Sequence, residues 1–336
     1  MTYAPLAAGP DRAVAAALAG HAAGISVNTS GSTGVPREVL IPTEAVHAAV
    51  SLSSRRLGGE AGWLLAIPPE RIGGALVLAR AALAGAPVTR MPAGPFTAAA
   101  FASAVARMPA GPRHVSLVPT QVRRLLADPA GRDALATFDA VLVGGAALPE
   151  HDAPGNLVRT YGMSETTGGC VYDGTALDGV GVRLGDDGRV MLAGPTLAAG
   201  YGDGDDAAFE VVDGERWFVT SDLGELHDGR LRVLGRADHV INTGGVKVHP
   251  QRVELALEHA GAAAAAVVGV PDPEWGERVV AVVEGAPDDA ALAAAVAALP
   301  AYARPRRIVR AEALPRTAGG KIDRPAARAL ASEEER

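Results

Sequence analysis

Short apolar runs closed by Gly or Pro alternate with longer helix-like segments over much of the chain, the pattern of an α/β domain whose strands are largely buried. The runs Trp63 to Ile67, Val115 to Val118, Ala140 to Val143 and Ala264 to Val270 read as strands. Between them, Gly73 to Leu83, Thr97 to Met108 and Thr120 to Ala127 read as helices, although Ala-rich stretches fit either period. From Val180 to Val233 the texture changes to short segments punctuated by Asp187-Gly188, Asp213-Gly214 and Asp228-Gly229, spaced as hairpin turns would be. After Gly235-Arg236 come a strand-like piece, a Pro-started helix from Gln251 to His259, strands at Ala264 to Val270 and Val279 to Val283, and an Ala-rich helix. A domain boundary is expected at Arg236 to Asp238, giving a unit 1–236 and a unit 237–336. A surface loop within one domain is the other reading. The Ala and Gly runs show no fixed period and reflect composition bias rather than a repeat.

Composition narrows the classes. A chain of 336 residues with 48% hydrophobic positions has room for about two cored domains. Lys plus Arg number 31 against 38 Asp plus Glu, a net charge of −7, and aromatics make up 4%. That balance lacks the basic, aromatic-interleaved footprint of general nucleic-acid binding. Cys170 is the only cysteine, so neither an internal disulfide nor a zinc–cysteine cluster can form, and a reducing compartment is expected. The apolar stretches fall short of the roughly 20 residues that span a bilayer, and MTYAPLAAGPDR lacks a basic start followed by an apolar run. A cytoplasmic location is expected.

Four segments carry candidate chemistry. Asn28 to Arg37, NTSGSTGVPR, places four hydroxyls, two glycines and a cation after a short apolar run, a loop whose N–H groups can surround phosphate oxygens. It lacks the Gly-Lys-Ser/Thr ending of a Walker A loop, which disfavours an unrelated P-loop phosphotransferase. Thr160 to Cys170, TYGMSETTGGC, offers Glu165 in a Gly-rich turn as a ligand for a hard divalent cation. In Thr220 to Glu225, Asp222 at a strand end can accept from two vicinal hydroxyls, and Arg236 of Leu234 to Lys247 can donate to the same sugar. Leu314 to Arg324, LPRTAGGKIDR, sets Lys321 on a Gly-Gly tip, where its point charge can meet a developing anion. Singly, each segment reads as well as an ordinary solvated loop.

In this order the four segments resemble the acyl-adenylate-forming superfamily of acyl-CoA synthetases, adenylation domains and luciferases. The superfamily patterns are a phosphate loop TSG[ST]TGxPK, YGxTE, [ST]GD, a GRxD hinge with a GG loop, and a C-terminal PxxxxGKxxR; the resemblance runs from about Ile25 to Arg324. The stretch Arg113 to Leu126, with Ser116-Leu117-Val118-Pro119-Thr120-Gln121, resembles the "SLVPTQ…RLL" of 2-succinylbenzoate:CoA ligases of menaquinone biosynthesis. Tyr161 to Gly174, YGMSETTGGCVYDG, looks like the actinobacterial form of its segment. Only 28 residues precede Thr29, as in the compact ligases of that pathway.

The resemblance implies a large α/β N-terminal domain with a β-rich subdomain, a small mobile α+β C-terminal domain, and the substrates and cofactors ATP, Mg²⁺ and CoA. It implies an acyl-adenylate formed with release of pyrophosphate, then displacement of AMP by the CoA thiol. Thr29, Ser30, Gly31, Ser32, Thr33 and Gly34 would hold the β- and γ-phosphates, with Arg37 at the base of the loop. Glu165 would bind Mg²⁺, and Ser164 would touch the α-phosphate or the acyl carboxylate. Gly144, Gly145 and Ala146 would lie against adenine, with Tyr161 stacked on it. Asp222 and Arg236 would grip the ribose, and Lys321 would bridge substrate carboxylate and α-phosphate. For the second step the C-terminal domain would turn about Asp238, bringing Gly244 and Gly245 to the pantetheine tunnel. Arg71, Gly73, Ser116 and Thr120 would border the acyl pocket. A homodimer is common among such enzymes.

Three positions depart from the superfamily pattern. Arg37 stands where Lys is usual; its fork still neutralises phosphate but is bulkier. Glu38 replaces a small residue. Arg71 occupies the place of an acyl-pocket His, where it could welcome a second carboxylate or point to solvent. The expected activity is that of a 2-succinylbenzoate:CoA ligase. The alternatives are an aryl- or acyl-CoA ligase of another pathway, a stand-alone adenylation enzyme, and a nucleotide-binding pseudoenzyme.

Overall fold

The computed structural model describes residues 1–29, 37–145, 155–317 and 321–333. The chain divides into two compact units: Met1–Gly185, Met191–Thr220 and Leu226–Leu231 make the first, and Asp186–Val190, Ser221–Glu225 and Arg232–Arg336 the second.

The apolar runs of the first unit become a seven-stranded sheet. Its strands Gly62–Leu65, Thr89–Arg90, Arg113–Leu117, Ala140–Val143 and Leu157–Met163 run parallel, Thr89–Arg90 at one edge, and Gly168–Tyr172 and then Thr175–Ala176 extend the other side antiparallel. A parallel sheet must be covered on both faces, which explains why these strands read as unbroken apolar runs. Side-chain alternation splits them accordingly. Trp63, Leu65, Ala140 and Leu142 pack with the helices Pro10–Leu18, Thr43–Arg56 and Ile72–Leu83 on one face. On the other, Leu64, Val115, Leu117, Val141 and Val143 pack with Phe101, Val105, Val122, Leu125 and Phe138. A four-stranded sheet adds Tyr3–Pro5, Gly24–Thr29, Arg37–Pro42 and Gly200–Tyr201 in that order, the first pair parallel and the next two antiparallel.

Arg80 is buried in the first core: Nε donates to Ser53 Oγ at 3.1 Å and the guanidinium lies 4.6 Å from the Trp63 ring centroid. Cys170 is fully buried, and burial pushes its thiol up to about 12. It is therefore a core residue and not a nucleophile.

Residues 180–236 form the expected series of strands joined by tight turns, among them one of 13 residues, Glu215–His227. The Asp213-Gly214 and Asp228-Gly229 pairs both have positive φ (56° and 79°, 49° and 74°), the signature of two-residue hairpin turns. One expectation changes here. Asp222 does not end a strand; it lies inside Glu215–His227, which continues through Gly224.

The second unit is built on the antiparallel pair Ala264–Asp272 and Gly276–Glu284, with Arg307–Ala311 parallel to the latter. Alternation again feeds two faces. Val267, Val279, Ala281 and Val283 meet Val253, Leu257 and Leu292, while Ala266, Val268, Val280 and Val282 meet Val309, Ala327 and Ala331. The Ala-rich 264–266 segment is a strand because small side chains on both faces let helices approach closely. Arg324 at the head of the last helix ties it to this pair: one Nη donates to the Val267 carbonyl at 3.0 Å, and the other pairs with Glu254, 2.7 Å to Oε1. Glu254 also accepts from the Val267 N–H at 2.8 Å. Burial is the largest influence on its carboxyl and raises it, against Arg324, which lowers it.

Arg324→Met should therefore destabilise this unit by about 3–5 kcal/mol, because it leaves a carboxylate buried without its cation. The sign with pH follows from the raised carboxyl. Lowering the pH neutralises Glu254 and relieves the variant, so its deficit in urea melts should shrink from pH 8 to pH 5. A deficit independent of pH would contradict this account.

Candidate active site

The strands Gly24–Thr29 and Arg37–Pro42 pair in register so that Thr29 faces Arg37, and Thr29 Oγ1 donates to the Arg37 carbonyl at 3.2 Å. The hairpin thus brackets the hydroxyl- and Gly-rich segment; Ser30, Gly31, Ser32, Thr33 and Gly34 themselves lie outside the described residues. Arg71, just before the helix Ile72–Leu83, reaches the same strand end: it is exposed, and Nη1 donates to the Asn28 carbonyl at 3.2 Å. That contact orients its charge to the strand end that leads into residues 30–36.

Glu165 sits in the one-turn 3₁₀ helix Ser164–Thr166 between the strands Leu157–Met163 and Gly168–Tyr172. The turn is held by its own polar groups. Thr166 Oγ1 accepts from the Met163 N–H at 2.9 Å, the Glu165 carbonyl accepts from the Ala198 N–H at 2.8 Å, and the buried Thr167 hydroxyl donates to the Thr196 carbonyl at 2.7 Å. The hydroxyl-rich sequence SETT is thus explained by backbone groups that need partners in a buried turn. Ser164 is buried beside Glu165, which is half-buried. Register between the flanking strands shifts at Tyr161/Gly162. Gly162 has φ 154°, and a Cβ there would fall 2.1 Å from the Gly168 carbonyl oxygen, so glycine is required at this irregularity beside Tyr161.

Gly144 follows the strand Ala140–Val143, and a Cβ on it would come within 2.7 Å of Thr160 Oγ1; Gly145 has φ 86° with open space around it. These glycines leave bare backbone at the C-terminal end of a parallel strand, the edge where open α/β sheets bind ligands. Ala146 lies outside the described residues. Ser116 is buried in Arg113–Leu117 and Thr120 is exposed in the first turn of Pro119–Leu126. Gly73 packs under Ile67, whose Cδ1 would be 2.9 Å from an added Cβ.

Sequence reasoning missed two members of this neighbourhood. Tyr201 donates its hydroxyl to Glu165 Oε1 at 2.9 Å, and Asp203 takes the fork of Arg37, Nε to Oδ2 at 3.1 Å and Nη2 to Oδ1 at 2.9 Å. Gly-Tyr and a Gly/Asp-rich loop look like turn chemistry in one dimension, and only the pairing of Gly200–Tyr201 with Arg37–Pro42 brings them here.

In the second unit Arg236 forks onto Asp238, both contacts 2.8 Å, and His239 lies 3.7 Å from the same carboxylate. The expected ribose cation and the expected hinge residue are therefore ion-paired. Burial, with Arg324 and Arg236 nearby, depresses His239 to about 4, so it is neutral at physiological pH. Asp222 belongs to this unit as well. Gly244 and Gly245 form the two-residue turn joining Ile241–Thr243 to Val246–Val248, with φ 56° and 78°. Gly244 also lies under Trp275, whose ring would be 2.6 Å from an added Cβ. Lys321 is exposed, at the far side of a loop closed by Thr317 N–H to the Lys321 carbonyl, 2.8 Å, and Asp323 N–H to the Pro315 carbonyl, 2.9 Å.

Among the described residues no group of three or more His, Cys, Asp or Glu could cage a metal. A single half-buried carboxylate, Glu165, suits Mg²⁺ carried in on phosphate oxygens, the usual arrangement where a nucleotide supplies most ligands. No helix among them is long and apolar enough to cross a membrane.

Comparison with known proteins places the chain in a family. The AMP-binding enzyme family model matches residues 25–201, and that for the AMP-binding enzyme C-terminal domain matches 254–321. The chain belongs to the AMP-binding enzyme family and is an adenylate-forming enzyme with the α/β fold of that family. It is 43% identical over 317 residues to a probable 2-succinylbenzoate–CoA ligase of Mycobacterium tuberculosis, covering 89% of this chain and 82% of that one. A 2-succinylbenzoate–CoA ligase of Listeria monocytogenes is 32% identical, with 88% and 68% covered. Among solved structures, o-succinylbenzoate CoA synthetase from Bacillus subtilis with its acyl-adenylate matches with TM-score 0.76 and 26% identity, over 90% of this chain and 68% of that one. An amide bond synthetase from Marinactinospora thermotolerans matches with TM-score 0.77 and 28% identity, over 91% and 68%.

Proposed function

We propose that this chain is a 2-succinylbenzoate:CoA ligase that uses Mg·ATP to form an acyl-adenylate and then a CoA thioester. The observation that carries the reading is the 43% identity to the Mycobacterium tuberculosis protein of that name, extended across 82% of its length.

In the first step a carboxylate oxygen of the acid attacks the α-phosphorus and pyrophosphate leaves. Two anions must meet, so the site has to supply positive charge and oriented dipoles. Thr29 and the segment 30–34 receive the β- and γ-phosphates, and Ser164 donates to the α-phosphate or the acyl carboxylate. Gly144, Gly145 and Tyr161 take adenine; Asp222 and Arg236 take the ribose. Lys321 offsets the charge that grows on the α-phosphate. When bound, Mg²⁺ shields the phosphate charge, and Glu165 is the residue that would hold it. In the second step the CoA thiol, losing its proton, attacks the acyl carbonyl and AMP leaves. Asp238 is the pivot between steps, and the Gly244-Gly245 turn is the wall past which the pantetheine arm slides, since side chains there would narrow it. Arg71, an exposed cation, suits an acid that carries a second carboxylate.

ATP–pyrophosphate exchange tests the first step, with CoA, a carrier protein and simple amines then compared as acceptors; the amines enter because a relative of similar fold is an amide bond synthetase. Exchange driven by 2-succinylbenzoate and AMP release with CoA support the reading. ATP binding with no exchange for any acid would make the chain a nucleotide-binding pseudoenzyme.

A further inference from the structure

Arg37 is one of the three positions that depart from the superfamily pattern, and its guanidinium is already engaged. Besides its fork on Asp203, Nη2 donates to the Asp205 carbonyl at 2.6 Å, and the guanidinium carbon lies 3.6 Å from the centroid of the Tyr201 ring. The geometry follows from strand register. Tyr201 pairs with Val39, so Arg37, two residues earlier on the same face, falls across the ring. Tyr201 is fixed from its other sides as well: its N–H donates to Asp206 Oδ1 at 2.8 Å, and the ring packs edge-on against Phe209 at 5.8 Å. The phenol is thus immobilised at ring and backbone, and its one rotatable donor points at Glu165 Oε1.

We propose that Tyr201 is a positioning residue for Glu165, clamped by Arg37 and Asp203, so that the carboxylate turns its second oxygen toward a divalent cation. The inference rests on reading Glu165 as the metal-binding carboxylate. A ligand's outer partner fixes its orientation and thereby its affinity for the metal. The chain therefore uses Arg37 differently from a free phosphate cation. Its charge is offset by Asp203 and by Asp205, 3.4 Å away, and its function is to hold the ring that holds Glu165.

The probe is Mn²⁺, followed by electron paramagnetic resonance of the free ion, titrated into the full chain with a non-hydrolysable ATP analogue. Tyr201→Phe keeps the ring and removes the donor; it should weaken Mn²⁺ binding about 10-fold, the lower end for loss of an outer partner. Asp203→Ala should weaken it in the same direction by a smaller factor, about 3-fold, because an exposed ion pair acts only through Arg37. Asp203 is 53% exposed, so this variant folds even where the first does not. Nucleotide affinity in EDTA should be unchanged in both, which a merely structural defect would not spare. Glu165→Gln separates the two ideas. If it loses Mn²⁺ while Tyr201→Phe and Asp203→Ala bind like the parent, the positioning role is overturned and the metal-ligand role stands. If all three bind Mn²⁺ like the parent, both are overturned.

Discussion

Replacing Lys321 by alanine is expected to lower acyl-adenylate formation by about 10²–10³-fold, the usual loss when one preorganised group facing transition-state charge is removed. Thioester formation from supplied acyl-adenylate should be essentially unchanged. The asymmetry follows from where charge develops. Attack of a carboxylate on the α-phosphorus places two anionic centres together, and the ammonium serves that moment; attack of a thiol on an adenylate carbonyl has no such encounter. The side chain is exposed, and the loop around it is closed by backbone hydrogen bonds that an alanine retains. Folding should therefore be untouched, and thermal melts of parent and variant should superimpose. The two half-reactions are read separately, by pyrophosphate exchange and by thioester yield from synthetic adenylate. Equal loss in both would remove Lys321 from the role given to it.

Glu165→Gln is the second large effect expected, at least about 10²-fold in adenylation at fixed Mg²⁺, since a charged metal ligand is replaced by a neutral one. Glutamine keeps an oxygen to accept the Tyr201 hydroxyl, and the turn itself is held by Thr166, Thr167 and the Glu165 backbone carbonyl. The variant should accordingly fold like the parent, and raising Mg²⁺ should recover part of the rate. A rate that falls without any change in Mg²⁺ dependence would assign Glu165 to packing.

Much of the core was legible because both units obey simple periodicities. Ala140–Val143 is the strand its sequence predicts, and the Ile72–Leu83 and Pro250–His259 helices lie within one residue of their expected starts. The two-face burial of Leu64 against Trp63 and Leu65 explains why no polar alternation marked that strand. The Asp-Gly turns were readable because their backbone demands positive φ. Asp222 was expected at a strand end, whereas ladder pairing carries its strand on to His227, and such pairing is not legible locally. The candidate site was legible only as separate loops. That Thr29 faces Arg37 depends on hairpin register, and that Tyr201 meets Glu165 depends on a strand pair 160 residues apart in sequence, roughly, from which no local pattern can be read. Arg37 shows the limit most clearly. Its charge type suggested phosphate, whereas its fixed partners come from the distant strand Gly200–Tyr201 and the loop after it, which carries Asp203 and Asp205.

The most direct test of the central claim is AMP release by the purified chain with Mg·ATP and CoA, comparing 2-succinylbenzoate with benzoate and medium-chain fatty acids. Strong turnover selective for 2-succinylbenzoate is the predicted result. Faster turnover of benzoate or a fatty acid would keep the adenylate-forming class and contradict the substrate assignment.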